Sequence, residues 1–72
     1  MTIKTDSGSI YILNATEKGL FFIKGLTEGR ITSIQSIEIG KPLQLNYYAI
    51  GVYGQESSEM SLLRTSPIVS MS

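Results

Sequence analysis

Two polar segments, one near each end of the chain, carry the side chains best suited to hold a ligand. Arg64-Thr65-Ser66 places a guanidinium, whose planar fork matches carboxylate and phosphate oxygens, ahead of two hydroxyls. Asp6-Ser7-Gly8-Ser9 is a turn sequence in which Gly8 can take a positive φ. Successive backbone N–H groups in such a turn can form an anion-binding nest, and Ser7 and Ser9 would add hydroxyl donors. Tyr11 and Tyr48 offer rings that could stack on a base. The plainer alternative stays open beside this one: the first segment is a simple hairpin turn, and Thr65 and Ser66 satisfy backbone groups exposed where Pro67 interrupts a strand.

The chain has no His, Cys or Trp. General acid–base catalysis at neutral pH is therefore left to carboxylates and lysines, and nothing positions a second acid against Asp6. Glu56 and Glu59 sit on a serine-rich stretch that reads as a solvated tip. A serine nucleophile needs an adjacent base, and pairing Ser7 with Lys4 would require a buried lysine on a short terminal strand. Gly40-Lys41 lacks the upstream glycine of a phosphate-binding loop and runs into Pro42, so it reads as a turn. Zinc sites of the Cys and His type are excluded. The expectation is a non-catalytic binding protein with no cofactor and no metal.

Six basic and six acidic side chains cancel. A protein that grips a nucleic-acid duplex carries a basic excess, so duplex binding is not expected. Arg30, Lys41 and Arg64 are the basic side chains that look free to meet an anion. Leu20-Phe21-Phe22-Ile23 and Tyr47-Tyr48-Ala49-Ile50 are the longest apolar stretches, far short of the ~20 residues of a spanning helix. The first six residues lack the apolar core of a signal peptide, so no membrane partner and a cytoplasmic location are expected. Asn14-Ala15-Thr16 fits a glycosylation sequon but reads as unused without a secretory signal.

The elements that must position these groups are strands. Thr2 to Thr5 and Ser9 to Leu13 flank the Asp6-Ser7-Gly8 turn and predict a hairpin. Asn14 to Gly19 reads as a polar loop, Leu20 to Lys24 as a strand apolar on both faces, and Gly25 to Gly29 as a mobile loop. Ile31, Ile34 and Ile37 have helical spacing, but the β-branched composition favours a bulged strand to Ile39. Leu43 to Ile50 alternates cleanly, with Leu43, Leu45, Tyr47 and Ala49 on one face. A flexible tip over residues 51–58 precedes strands at Met60 to Arg64 and Ile68 to Met71. The sum is an all-β single domain, a small barrel or highly curved antiparallel sheet of six to seven strands. Its expected core is Ile10, Ile12, Leu20, Phe22, Ile37, Ile39, Leu43, Leu45, Leu62 and Ile68. Several strands are apolar on both faces, which one small core cannot cover. A homo-oligomer is therefore expected, with Phe21, Tyr48 or Ile50 at the contact.

Thr5-Asp6-Ser7-Gly8-Ser9-Ile10-Tyr11 resembles the T-x-S-G-S-x-Y opening of small, mostly uncharacterised bacteriophage-encoded β proteins. Arg64-Thr65-Ser66-Pro67-Ile68-Val69 resembles their close, and Gly40-Lys41-Pro42-Leu43 their middle. The stretch from Glu28 to Ile39 departs from that pattern. The resemblance implies a phage origin, a β fold and no catalytic residues. By analogy of size, origin and chemistry, it points to a counter-defence factor that sequesters a small anionic, nucleotide-derived host immune signal. In that reading Arg64 is the charge partner, Thr65 and Ser66 donate hydroxyls, Ser7, Gly8 and Ser9 form the nest, and Tyr11 or Tyr48 stacks on the base. The alternative is a structural or protein-interaction module: a virion component, or an inhibitor that binds a host protein by an exposed edge strand.

Overall fold

The computed structural model describes residues 1–72. Six strands form an antiparallel meander that closes on itself as a barrel, in the order β1 to β6. They are β1 (Thr2–Thr5), β2 (Ile10–Thr16), β3 (Gly19–Lys24), β4 (Thr27–Ser36), β5 (Pro42–Ile50) and β6 (Glu56–Met71). There is no helix: Ile31 and Ile34 lie in β4, but the strand expected to reach Ile39 ends at Ser36, and Ile37 lies just beyond it. That strand bulges between Ile31 and Ser33 and again between Ile34 and Ser36, which is how a three-residue spacing fits a two-residue repeat.

Local chemistry sets the boundaries. The Asp6-Ser7-Gly8 turn forms, with Gly8 at φ 89°, and the Gly8 N–H donates to the Thr5 carbonyl at 2.9 Å. The expected loops are shorter than their composition suggests. β2 runs on to Thr16, β4 begins at Thr27, and β6 begins at Glu56. Pairing to a neighbouring strand overrides local polarity at each of these positions.

The interior is filled by Ile3, Tyr11, Leu13, Phe22, Ile31, Leu43, Leu45 and Ile68. Phe22 lies edge-on to Tyr47 with ring centroids 4.9 Å apart. Gly29 makes room for that pair, since a Cβ there would stand 2.5 Å from Tyr47 Cδ2 and 2.7 Å from Phe22 Cε1.

Four expected core residues, Ile10, Ile12, Ile39 and Leu62, are exposed instead. In the first hairpin Ile3 aligns with Tyr11, and aligned residues point the same way. Tyr11 and Leu13 therefore turn inward, and Ile10 and Ile12 outward. Leu62 aligns with outward Asn46, while Leu63 aligns with inward Leu45. Ile39 lies past the end of β4 and makes only an isolated parallel bridge to Ile68. Leu20 and Ile37 pack partly buried against the core.

Candidate functional site

Thr65-Ser66-Pro67 does not end a strand. Between the Gln44–Arg64 and Pro42–Pro67 pairs, β6 holds one residue more than β5, so β6 bulges there and continues. The bulge explains the hydroxyls. The Leu43 N–H donates to Thr65 Oγ1 at 3.0 Å in place of a strand carbonyl, and that hydroxyl donates in turn to the Ser66 carbonyl at 2.7 Å. Past the bulge, β6 turns to β1. The Pro67 carbonyl accepts from Asp6 N–H at 2.8 Å, and Thr5, Lys4 and Ile3 align with Ile68, Ser70 and Met71.

This seam brings the two polar segments together. Ser66 Oγ donates to Ser7 Oγ at 2.9 Å and accepts the Ser7 N–H at 3.2 Å. Ser7 Oγ also lies 3.1 Å from Thr5 Oγ1 and 3.5 Å from Ser9 Oγ. A string of hydroxyls thus runs along one end of the barrel, with Thr5 buried and Ser7 exposed. The backbone donors of the turn are already engaged. Thr5 N–H meets the Ser9 carbonyl, Asp6 N–H the Pro67 carbonyl, Ser7 N–H the Ser66 hydroxyl and Gly8 N–H the Thr5 carbonyl. What remains for a ligand is the hydroxyls, not a nest of four amides.

The other predicted residues are dispersed. Tyr11 is buried against Phe22, with ring centroids 6.4 Å apart, and Lys24 Nζ sits 5.8 Å from its ring centre. Burial raises its phenol pKa above the ordinary value. No face of Tyr11 is left for a base. Arg64 is exposed on the outer wall and Thr65 half-buried beside it. Tyr48 lies on the same outer wall as Arg64, four aligned pairs further along β5 and β6.

Of the three cations read as free, two are engaged. Lys41 Nζ lies 3.0 Å from Glu38. Arg30 reaches over Tyr48, its guanidinium carbon 5.4 Å from the ring centre, to a two-pronged contact with Glu56: Nη2 to Oε1 at 2.6 Å and Nε to Oε2 at 3.0 Å. That contact raises the Arg30 pKa and lowers that of Glu56. Sequence reasoning missed the pair because it joins positions 26 residues apart, across the intervening β5. Arg64 has no ionic partner.

The largest surface depression, of about 370 Å³, lies elsewhere, on the outside of β2, β3 and β4. Asn14, Lys18, Phe21, Ile23 and Glu28 line it, and none of the predicted site residues does. No group of three or more acidic side chains converges to hold a metal ion. No helix is long and apolar enough to cross a membrane.

The most unusual polar feature is made of backbone. β5 is paired along both sides, but β1 covers only the Ile68–Met71 end of β6. From Glu56 to Arg64, β6 has β5 on one side and no strand on the other. Between the Tyr48–Met60 and Ile50–Glu56 pairs β6 bulges, and there the Glu59 N–H donates to the Ser57 hydroxyl at 3.2 Å. On β5 the N–H groups of Leu43 and Gly51 point to β6 and the Asn46 carbonyl to β4, so Leu45 bonds Leu63 and Tyr47 bonds Ser61. Since peptide groups alternate sides along an antiparallel strand, Met60, Leu62 and Arg64 present theirs at the open edge. The barrel is closed at one end and keeps a strand edge at the other.

No protein-family model, curated protein or solved structure matches this chain.

Proposed function

We propose that the protein is a non-catalytic interaction module that takes a partner's strand onto the open edge of β6. The observation that carries this reading is the bare run from Glu56 to Arg64, whose unpaired peptide groups form a template for strand addition. The filled interior supports the same view, because a barrel packed with Phe22, Leu43, Leu45 and Ile68 leaves binding to its outer surface. With the resemblance to phage proteins, the module is a virion component or an inhibitor of a host protein, acting in the cytoplasm of an infected cell. The test is capture from infected bacterial lysate, followed by reconstitution with the purified partner. A partner held by the wild type and lost with Leu62→Pro, which removes an N–H from the open edge, supports strand addition. A partner held equally by both overturns it.

A second reading has its own support in the hydroxyl string at the seam. Ser7, Ser9 and Ser66 converge at the barrel surface, and Arg64 is a cation without an ionic partner. Sequestration of a small anionic, nucleotide-derived immune signal would use these groups, with Tyr48 rather than Tyr11 available to stack. Thermal-shift screening against cyclic dinucleotides and ADP-ribose derivatives tests it. A ligand that raises the melting temperature of the wild type and not of Arg64→Ala supports sequestration, and a flat response across the set rejects it.

A further inference from the structure

Building on the strand-addition reading, we propose that the partner at the β6 edge is a second copy of this chain, joined antiparallel about a two-fold axis at Met60. The sequence of the edge is complementary to itself. A two-fold axis normal to the sheet sets residue i opposite residue j with a constant sum, and paired residues face the same way. Centred on Met60, the run Glu56-Ser57-Ser58-Glu59-Met60-Ser61-Leu62-Leu63-Arg64 sets Glu56 opposite Arg64 at both ends. Met60 then meets Met60, and Leu62 meets Ser58. No other register does this. Moving the centre to Glu59 sets that carboxylate against its own copy, and moving it to Ser61 sets Arg64 against Ser58.

Three further observations fit. Arg64 has no ionic partner within its own chain, and the dimer gives it one. Glu56 is already held in place by Arg30, so the carboxylate is positioned before the second guanidinium arrives. Met60 and Leu62, 56% and 61% exposed, are the outward apolar residues of this stretch, and pairing brings both copies of each to one surface. The peptide groups of Met60, Leu62 and Arg64 face the axis and would bond to the second copy. Two barrels would share one continuous sheet through their β5–β6 hairpins. Zero net charge leaves no overall repulsion against this approach.

Mass in solution, by light scattering or sedimentation, tests the dimer. The wild type is expected at twice the 7.9 kDa chain mass, dissociating on dilution. Leu62→Pro removes an edge donor that faces away from β5, so it should leave the circular dichroism spectrum of the barrel intact and yield monomer. Arg64→Glu alters only an exposed side chain and replaces two attractions with two repulsions. It should raise the dimer dissociation constant about tenfold at low salt. A wild type that stays monomeric at the highest soluble concentration overturns the dimer, while leaving the edge free for a different strand. A dimer unmoved by Leu62→Pro overturns both the self-pairing and strand addition at this edge. A dimer sensitive to Leu62→Pro but not to Arg64→Glu overturns the register centred on Met60.

Discussion

Ile68 and Met60 belong to the same strand, yet Ile68 is 1% exposed and Met60 is 56% exposed. Ile68 stands where β6 has a partner on each side: β1 at Thr5, and the turn before β5, to which it donates at Lys41 and from which it accepts at Gly40. Met60 stands where β6 has one partner, Tyr48 of β5. The bulge at Thr65-Ser66 divides the two regimes. On one side of it the strand builds the barrel, and on the other it projects past the barrel with an unused edge. Every residue from Gly51 to Met60 is exposed. The lesson is that closure and an interaction edge coexist in one strand when that strand is much longer than its neighbour. β6 spans 16 residues and β1 spans 4.

The largest effect should come from the enclosed side. Leu43 is fully buried, aligned near the bulge and surrounded by core side chains. Leu43→Ala should cost about 2–5 kcal/mol, from lost burial and the cavity left behind. For a domain with so few core residues that is a large part of the total stability. Thermal or urea denaturation monitored by circular dichroism reads it. A loss below about 1 kcal/mol would break the distinction between packed and open regions, because the core would then be yielding enough to refill.

Next in size is the bulge itself. Thr65→Val keeps the shape and removes the acceptor of the Leu43 N–H, whose residue is wholly buried. An orphaned buried donor costs about 1–3 kcal/mol. In a chain of this length each kcal/mol lowers the melting temperature by about 4–8 °C. Thr65→Ser keeps the hydroxyl and should recover most of the loss. If Val and Ser variants melt together, the methyl and not the hydroxyl matters, and the bulge is a packing feature.

Much of the fold was legible in the residues, and the reasons for the remainder are specific. Leu43, Leu45 and Tyr47 alternate against Gln44, Asn46 and Tyr48, and the structure turns the leucines inward. The Gly8 turn was readable because Asp6 and Ser7 favour a turn and Gly8 can take the positive φ that it has. The inward face of β2 was not readable, since Ile10, Tyr11, Ile12 and Leu13 are apolar on both faces. Register with Ile3 made the choice, and register is a property of two strands rather than one. The kinship of the two chain ends was visible as paired motifs, and Ser7 does meet Ser66. Their geometry was not visible, because the bulge that turns Thr65 toward Leu43 arises from a mismatch in length between β5 and β6. The expected interruption at Pro67 had the right place and the wrong form: Pro67 aligns with Pro42, so neither proline is asked for an N–H by the other.

The smallest effect should come from the tip of the β5–β6 hairpin. Val52 and Tyr53 are each 92% exposed, in the turn that joins the two strands. Burying neither side chain contributes to the barrel, so Val52→Ser should change stability by less than about 0.5 kcal/mol in either direction. The turn itself is held by backbone bonds that the substitution leaves alone: Gly51 N–H to the Gln55 carbonyl at 2.8 Å and Gly54 N–H to the Gly51 carbonyl at 2.9 Å. The same denaturation experiment, run at dilute and concentrated protein, checks both halves of the comparison. An unchanged melt at both concentrations places the tip outside the barrel core and beyond the pairing edge at Glu56 to Arg64. A loss that appears only when the protein is concentrated would extend the contact between copies past Glu56 into the turn. A loss at every concentration would mean that Val52 is covered within a single chain, and that the open region begins later along β6 than the strand pairing indicates.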